Sequence, residues 1–424
     1  MPNLSQLLTS KSSVEYQRVF GLCRDISSEL DSVDGVYVVG GIVRDLILGR
    51  TPGDIDLSVT GDAKAFSAEL ASRIGAPSPD ESQFLTFKIS STEIFPDVSS
   101  IDVVTARSET YAESAALPEV EVSSINEDLK RRDFTVNAMA ISLMGSDWGT
   151  LVDPKNGFGD VMRKRIKVLH DGSFIDDPTR IFRAVRYAVR LGFGIDSRTN
   201  ELISKSLANV DRLSGTRVRN EFELVLTESN RVEMFRMSEE IGLLAAISPG
   251  LRIGTKALQV LSDQSEQEAI STELPDLLAI TMFGLNEDEA KQVVKRFDAP
   301  AAWTESITGN IQLAKHAAVL DQTNLAPSEV AEILRAIPLA SIKAYILAGP
   351  PLPRREKLVE YIEKIQFITP EINGDDLLAI GIPQGPIIGQ LIDIVRRAKL
   401  DGKVSTKQEE LDLAKSRLPR FLTK

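Results

Sequence analysis

A chain of 424 residues with a formal net charge of −12 is too long for one hydrophobic core and too acidic for general affinity to nucleic acid. Its single cysteine, Cys23, excludes an intramolecular disulfide, and with only two histidines it excludes a Cys/His zinc site. No apolar run is long enough to cross a membrane, and the N-terminus lacks a secretory signature, which predicts a cytoplasmic protein. Any RNA binding must therefore use local basic patches, and any metal must be held by carboxylates.

Up to residue 165 the chain mixes strand-like and helix-like patterns. Five apolar or alternating runs predict strands, the last of them also compatible with a helix: residues 36–39, 55–59, 84–89, 101–105 and 136–143. Helical spacing predicts one helix over 42–48, stopped at Gly49, and another over 63–74. Beyond residue 165, segments rich in Ala, Leu, Glu, Lys and Arg predict an almost wholly helical remainder, so the expected fold class is α+β. Pro and Gly mark candidate joints at 248–250, 349–353 and 381–389.

A glycine turn and a pair of acids stand close together near the N-terminus. Gly40 and Gly41 close the first apolar run, where bare backbone and the following helix N-terminus can bind a phosphate that Arg44 could also reach. A tight strand-to-helix turn explains the glycines equally well. Asp54 and Asp56 are two apart in the next run, so both project from one face of a strand. Adjacent carboxylates repel unless a cation separates them, and Mg²⁺ commonly uses one or two carboxylates together with substrate phosphates.

A third acid, Asp102, stands in another apolar run. By itself it could be a surface residue of an amphipathic strand. Three acids on neighbouring strands fit two-metal catalysis instead. In that arrangement Asp54 and Asp56 bridge two Mg²⁺ ions, and Asp102 completes the ion that lowers the pKa of an attacking hydroxyl.

An Arg-Arg-Asp motif follows at residues 131–133, with Asn137 just beyond it. The guanidinium of Arg132 can pair with phosphate oxygens, while Asp133 can orient an arginine or accept a ribose hydroxyl. The alternative is a helix start with Asp133 as N-cap and a solvated basic run before it. Both interpretations can hold together, because a cap does not occupy both carboxylate oxygens.

A helix start is predicted at Asp177-Pro178, with the aspartate as cap and the proline at the first helical position. Four arginines recur on one face of this helix: Arg180, Arg183, Arg186 and Arg190. Like charges on one face repel, so a polyanion or interleaved carboxylates should lie opposite them. A solvated face is the alternative, although arginine without lysine favours planar recognition of bases, phosphates or carboxylates.

In this order the motifs resemble the class II nucleotidyltransferases of the polymerase-β superfamily. That family includes bacterial CCA-adding tRNA nucleotidyltransferases and bacterial poly(A) polymerase. The motifs that carry the resemblance are residues 40–45, 54–56, 131–139 and 177–186. The similarity is strong over residues 36–225, weak from 230 to 370, and returns in a tail segment at 372–389.

The resemblance implies template-independent addition of nucleotides to an RNA 3′ end. CTP and ATP are the expected substrates, two Mg²⁺ ions the expected cofactors and tRNA the expected partner, with no membrane and no obligate protein partner. Asp177 and Arg180 would hydrogen-bond the Watson–Crick edge of the incoming base, and Arg132 and Asp133 would contact its sugar and triphosphate. The implied nucleotide-binding set is Gly40, Gly41, Arg44, Arg132, Asp133, Asn137, Asp177, Arg180, Arg183 and Arg186. The family usually has Glu where this chain has Asp176, which could alter how Asp177 is held.

The resemblance also implies four domains: a mixed-sheet nucleotidyltransferase head over 1–160, then a helical neck over 161–230, a helical body over 231–349 and a helical, tRNA-binding tail over 350–424. Basic residues of the tail are candidate RNA contacts, although a solvated helix explains them equally well. They are Arg396, Arg397, Lys399 and Lys403.

The preferred function is addition of the whole CCA sequence to tRNA. CC-adding members of the family lack a flexible loop between the third acid and the Arg-Arg-Asp motif. This chain keeps a full segment there, 108–127, so the resemblance favours an enzyme able to add the terminal A. Poly(A) polymerases of the family tend to carry basic extensions, so the resemblance, without such an extension here, favours tRNA maturation over poly(A) synthesis. The alternatives are an A-adding tRNA enzyme, a poly(A) polymerase or a catalytically inactive RNA-binding module.

Overall fold

The computed structural model describes residues 3–9, 13–50, 53–82, 85–91, 94–96, 98, 100–110, 119–263, 273–350 and 353–418. The chain divides into two compact units. The first is Met1–Glu221 with Arg236–Ala246, and the second is Phe222–Phe235 with Ile247–Lys424. All of the predicted catalytic and nucleotide-binding residues lie in the first unit. The finer division into head, neck, body and tail stays a prediction.

Eleven strands are described, all in the first unit. In chain order they are β1 Val33–Val39, β2 Ile55–Gly61, β3 Asp80–Glu81, β4 Thr86–Ser90, β5 Ser100–Thr105, β6 Arg107–Thr110, β7 Glu119–Val122, β8 Ala140–Ser142, β9 Leu151–Val152, β10 Arg165–Ile166 and β11 Gly194–Ile195. Seven of them form one sheet in the order β3-β4-β5-β2-β1-β8-β9. Only β2 and β5 pair in parallel within that sheet, and its other pairs are antiparallel. The predicted mixed sheet is confirmed.

Helices are found along the whole described chain, from Ser5 to Arg417. In chain order they are α1 Ser5–Thr9, α2 Val14–Glu29, α3 Gly41–Ile47, α4 Ala63–Ile74, α5 Ile125–Lys130, α6 Gly157–Met162, α7 Ser173–Asp176, α8 Thr179–Leu191, α9 Ser197–Ser206, α10 Gly215–Thr227, α11 Arg231–Glu240, α12 Leu243–Ile247, α13 Thr255–Ser262, α14 Leu274–Thr281, α15 Glu287–Arg296, α16 Ala301–Lys315, α17 Ala317–Leu320, α18 Pro327–Leu334, α19 Leu339–Ala348, α20 Pro353–Glu363, α21 Gly374–Ala379, α22 Pro386–Leu400 and α23 Lys407–Arg417. After residue 165 the described chain is helical except for the two-residue pair β10 and β11, so the predicted α+β class is confirmed.

Helix α4 shows how local sequence sets these bounds. Asp62 caps the helix by accepting a hydrogen bond from the Ala65 N–H over 2.9 Å. Gly75 ends it in the left-handed region with φ of 80°, a conformation that glycine adopts without a steric penalty. Phe66 and Leu70 point inward one turn apart and are fully buried. The predicted helix over 63–74 is therefore confirmed to the residue.

The sheet has one apolar face and one face that carries acids. Helices α2 and α4 pack on the sheet, and Ile55 and Leu57 of β2 are fully buried. Because strand side chains alternate between faces, Asp56 projects to the opposite side from those two neighbours. Asp102 stands directly beside Asp56 in the parallel register of β2 and β5. The acids are thus held by the two central strands and not by a sheet edge.

The run at 136–143 departs from its prediction. Thr135–Asn137 forms a 3₁₀ turn, and only Ala140–Ser142 joins the sheet. The turn is fixed by buried polar contacts, since the Thr135 hydroxyl donates to Asp160 over 2.8 Å and its N–H donates to the Lys167 carbonyl over 2.9 Å. An apolar pattern cannot reveal such contacts, because their partners lie far along the chain.

The second unit is helical throughout its described residues and contains two apolar clusters. The larger joins α16 to α20 through Leu334, Ile342 and Leu358, and the smaller joins α21, α22 and α23. The predicted joint at 248–250 falls between helices, and residues 351 and 352 of the second joint lie outside the described part of the chain. The third joint is only partly right, because α22 already begins at Pro386. None of the helices described in either unit has the length and apolarity that a membrane span requires.

Candidate active site

Three acids gather where β2 and β5 run side by side. Asp56 and Asp102 are register partners, and Asp54 lies immediately before β2. The Ser100 hydroxyl donates to Asp54 Oδ1 over 3.1 Å, which ties the third acid to the start of β5. Lys88, the register partner of Asp102 on β4, places its Nζ 3.9 Å from Asp102 Oδ1. The structure therefore brings together the three acids that the sequence pattern joined.

These acids carry negative charge that the protein only partly balances. Burial, together with the charges of Asp102 and Asp54, raises the pKa of Asp56 to about 6, although the guanidinium of Arg132 opposes the rise. Burial also raises the pKa of Asp102, although the ammonium of Lys88 opposes it. Asp102 Oδ1 is buried and accepts no hydrogen bond from any described residue. A buried acceptor beside two further carboxylates is the environment that a divalent cation relieves, so these side chains fit Mg²⁺.

The side chains of the three acids do not by themselves form a complete coordination shell for a metal ion. Within the described ranges, no three His, Cys, Asp or Glu side chains are grouped closely enough to enclose an ion. Mg²⁺ often keeps several waters and binds through one or two carboxylates plus substrate phosphates. A site completed by the substrate is consistent with this arrangement, and the assignment of two ions to three acids stays a prediction.

The glycine turn brings an arginine next to these acids. Gly40 has φ of 78°, and a Cβ on it would lie 2.8 Å from Arg132 Nη1 and 3.8 Å from Asp56 Oδ2. A side chain here would displace the guanidinium, in addition to straining the backbone. Gly40 is therefore required both for the turn and for the close approach of Arg132 to the acids.

Two buried acids that the sequence prediction missed hold the Arg-Arg-Asp motif. Asp128 is fully buried and accepts from Arg131 over 2.7 Å and from Arg132 over 3.0 Å. Burial alone would raise the pKa of Asp128, but the guanidinium groups of Arg132 and Arg131 outweigh burial and hold it below its usual value. Glu109 on β6 accepts from Arg131 over 2.7 Å. Asp128 lies three residues before Arg131 and four before Arg132, a spacing typical of ion pairs on a helix, and this spacing could have identified it. No comparable sequence signal points to Glu109.

Asp133 and Arg183 form an ion pair that joins the Arg-Arg-Asp motif to α8. Asp133 Oδ2 accepts from Arg183 Nε over 2.8 Å, while Oδ1 accepts from the Phe134 N–H and from Asn137 over 2.8 and 3.0 Å. Burial would raise the pKa of Asp133, but Arg183 and these donors hold it below its usual value. Asp133 thus orients an arginine, as the first interpretation predicts. The alternative of a helix N-cap is wrong, because the 3₁₀ turn begins after Phe134 and has no side-chain cap.

Arg44, in the first turn after the glycines, is buried. Its guanidinium donates to both oxygens of Asp45 over 3.0 and 2.8 Å and to Asn137 Oδ1 over 2.5 Å. Its guanidinium carbon also lies 5.4 Å from the centre of the Tyr187 ring. The structure places Arg44 in support of Asn137 and Tyr187, and its predicted phosphate contact stays a prediction.

Helix α8 begins at Thr179, one residue after the predicted first position, and carries the arginine face. Asp177 Oδ1 accepts from the N–H and the hydroxyl of Thr179 over 3.0 and 2.6 Å. Arg180 is buried and donates to Ser173 Oγ and to the Arg131 carbonyl, each over 2.8 Å. Arg186 Nη1 lies 3.8 Å from Glu221. With Asp133 facing Arg183, the interleaved carboxylates expected opposite this face are confirmed.

These elements enclose one cleft of about 350 Å³. Its lining residues are Val39, Gly40, Gly41, Asp56, Val104, Glu109, Arg131, Arg132, Asp133, Asn137, Asp177, Arg180, Arg183 and Tyr187. Four arginines and four carboxylates are among them, so their formal charges cancel. A triphosphate entering this cleft brings negative charge that an accompanying cation would neutralise. One cleft is thus lined by all of these features: the glycine turn, one of the acids, the Arg-Arg-Asp motif and the start of α8.

The basic residues of the tail are mostly paired with acids of the second unit. Lys399 Nζ lies 2.7 Å from Glu410, and Arg397 Nε lies 3.1 Å from Asp393. Lys403 pairs with Asp401 over 2.9 Å. Arg396 lines a second cleft, of about 410 Å³, together with Arg335 and Arg397. The contacts of these tail residues with RNA stay a prediction.

Comparison with known proteins agrees with the motifs. The family described as "Poly A polymerase head domain" matches residues 36–167, and "Probable RNA and SrmB- binding site of polymerase A" matches residues 192–253. An A-adding tRNA nucleotidyltransferase of Halalkalibacterium halodurans is 31% identical, over 90% of this chain and 88% of the relative. The chain belongs to the tRNA nucleotidyltransferase family. The resemblance predicted from the motifs is confirmed.

Further members of the tRNA nucleotidyltransferase family share the sequence or the fold. An A-adding tRNA nucleotidyltransferase of Geobacter sulfurreducens is 34% identical over 93% of this chain, but the chain spans about half of that relative, 46%. CCA-adding enzymes solved with ATP and with CTP superpose with TM-scores of 0.77 and 0.76 at 27% and 28% identity, covering 98% of this chain and 99% of theirs. A Thermotoga maritima CCA-adding enzyme complexed with tRNA gives 0.72 at 28% identity, with the same coverage.

Proposed function

We propose that this chain adds nucleotides to the 3′ end of tRNA without a nucleic-acid template. One observation carries the proposal: Asp177 and Arg180, the predicted base-reading pair, line the same cleft as Asp56 of the acid cluster. A base read at one end of such a cleft would present its α-phosphate toward the acids at the other. The family membership and the relatives' complexes with ATP, CTP and tRNA support the same proposal.

Base selection follows from the donors and acceptors at the start of α8. Adenine and cytosine each present an amino donor beside a ring-nitrogen acceptor, whereas guanine and uracil present a carbonyl where that amino group stands. A carboxylate only accepts and a guanidinium only donates, so Asp177 and Arg180 complement the first pair of bases and oppose the second. Arg180 uses two of its five N–H groups on Ser173 and Arg131, which leaves donors for a base.

The triphosphate would bind to Arg131 and Arg132, which Asp128 holds in place from below. Fixed guanidinium groups stabilise developing phosphate charge at little reorganisation cost. Asp54, Asp56 and Asp102 would hold Mg²⁺, and bound Mg²⁺ lowers the pKa of an attacking hydroxyl and neutralises phosphate charge. The protein itself then contributes mainly by positioning the RNA 3′-hydroxyl and the nucleotide.

Addition of the terminal A is the activity that the relatives' names have in common. The relatives of 31% and 34% identity are A-adding enzymes, and the superposed structures of 27% and 28% identity are CCA-adding enzymes. We therefore place addition of the terminal A first. Full CCA synthesis is the second candidate. It is favoured because the chain superposes, over almost its whole length, on a CCA-adding enzyme solved with CTP.

A primer-extension assay separates these functions. Purified protein is incubated with Mg²⁺, with both CTP and ATP, one of them labelled at a time, and with transcripts that end before CCA, after CC, or in unrelated sequence. A addition only to the CC-ended tRNA supports the first candidate, and CCA synthesis on the shortest tRNA supports the second. Long A tails on any RNA indicate poly(A) synthesis, and no incorporation on any transcript contradicts the proposal.

A further inference from the structure

The base-reading carboxylate is held by a residue that lies outside the four motifs that carry the resemblance. Arg217 of α10 donates from Nη2 to Asp177 Oδ1 over 2.8 Å. The same oxygen accepts both bonds from Thr179, over 3.0 and 2.6 Å. An oxygen that accepts from three donors has no acceptor position left for a base. The second oxygen, Oδ2, is therefore the one that can face the nucleotide.

We infer that Arg217 is a positioning residue for base selection, an inference that rests on the proposed function. Selection of an amino-bearing base over a carbonyl-bearing base requires Asp177 to act only as an acceptor. A proton on Oδ1 would have to displace one of its three donors, and rotation about the Cβ–Cγ bond would break all three bonds. The contact with Arg217 thus fixes both the orientation of Asp177 and its acceptor character.

Arg217 contributes something that Thr179 does not. The Thr179 bonds are local, because they span two residues and belong to the cap of α8. Arg217 comes from a different helix, forty residues along the chain, and brings a positive charge. It therefore fixes the carboxylate relative to the rest of the cleft and not only relative to its own turn.

The same pair is not expected to contribute much to folding. The side chains of Arg217 and Asp177 are 28% and 21% exposed, so solvent screens the attraction between them. A role in selection and a role in stability can thus be separated by experiment. The effect of losing Arg217 should appear in which nucleotide is incorporated, and the melting temperature should change little.

The test compares single-turnover incorporation of ATP and GTP on a CC-ended tRNA. Arg217→Met removes the donors and keeps the aliphatic stem, and Arg212→Met makes the same change at an exposed position just before α10. We expect Arg217→Met to lower the ATP-over-GTP ratio about tenfold or more, in line with the worth of a hydrogen bond to a charged group. Arg212→Met should keep the wild-type ratio, and Arg217→Lys, which retains a charged donor, should give an intermediate one.

A double-mutant cycle makes the test specific to the pair. In an Asp177→Asn background the Arg217→Met change should lower selectivity no further, because both act through one contact. The inference is overturned if Asp177→Asn loses selectivity while Arg217→Met keeps the wild-type ratio, or if the two losses add. The proposed function survives either result. If the wild-type protein incorporates no nucleotide into tRNA, the proposed function fails and the inference fails with it.

Discussion

The two sides of the cleft differ in how their charges are balanced. On the side of α5 and α8, buried acids have arginine partners, and the pKa values of Asp128 and Asp133 are held below their usual range. On the β2–β5 side, burial and like charges raise the pKa values of Asp56 and Asp102. One side is complete within the protein, whereas the other is short of positive charge. This contrast supports the proposal that the nucleotide-binding side is preformed, whereas the acid side would be completed by a cation that binds together with the substrate.

The largest effect is expected at the uncompensated side. Asp56→Asn keeps the shape of the side chain and removes the negative charge, so nucleotide incorporation should fall about a thousandfold or more. Because burial raises the pKa of Asp56, its ionised form costs folding free energy near neutral pH. The variant should therefore melt at the same temperature as wild type or higher when Mg²⁺ is absent. A large loss of stability would show that nearby positive groups of the protein balance the charge of the Asp56 carboxylate.

On the preformed side, loss of a central acid should damage both structure and function. Asp128→Ala removes the partner of two partly buried arginines and should lower the free energy of unfolding by about 3 kcal/mol, measured by urea denaturation. The KM for ATP should rise, since Arg131 and Arg132 lose their support. Glu127→Ala is the matched control, because Glu127 pairs with Lys130 at the surface and should change the unfolding free energy by less than about 0.5 kcal/mol.

The lowered pKa of Asp133 predicts how the stability of the preformed side depends on pH. The folded-state pKa of Asp133 lies below its unfolded value, so the carboxylate stabilises the fold above the unfolded pKa and stops doing so as pH falls through the folded pKa. Asp133→Asn should therefore lower the free energy of unfolding at pH 7 by about 2 kcal/mol. Urea titrations should find that this difference shrinks below about pH 4. A difference that stays constant down to low pH would contradict the assigned ion pair with Arg183.

A small effect is expected at Lys88, the only nearby ammonium shown to face the acids in the described residues. Its Nζ lies 3.9 Å from Asp102, but the side chain is 57% exposed, so it balances little charge. Lys88→Gln should leave the maximal rate nearly unchanged and lower the Mg²⁺ concentration for half-maximal rate about twofold, because a competing cation is gone. Metal titrations with the exposed control Lys64→Gln check this. A higher Mg²⁺ requirement would mean that Lys88 acts on the nucleotide instead.

Much of the site could be predicted from local patterns. The acid pair, the Arg-Arg-Asp motif and the helix start at Asp177-Pro178 are each written within a few residues, and the strand period places Asp54 and Asp56 together. Asp128 is also local, three and four residues before its partners, and could have been found. Arg217 and Glu109 could not, because their contacts depend on how distant elements pack, and no spacing in the sequence encodes that packing.

Other differences have the same physical origin. The arginine face of α8 was predicted as a unit, yet the structure divides it: Arg180 is buried against Ser173, Arg183 pairs with Asp133, and Arg186 faces Glu221. Helical periodicity fixes which side chains share a face but not what each one meets. Likewise Arg44, adjacent to the glycine turn in sequence, is drawn beneath the cleft by Asp45 and Asn137.

The most direct test of the contrast is single-nucleotide extension of a CC-ended tRNA by two variants, Asp56→Asn and Asp177→Ala, with each of the four nucleoside triphosphates. The account predicts that Asp56→Asn incorporates none of them at a measurable rate, while Asp177→Ala still incorporates nucleotides but no longer prefers ATP over GTP. Retained activity in Asp56→Asn, or retained selectivity in Asp177→Ala, would contradict it.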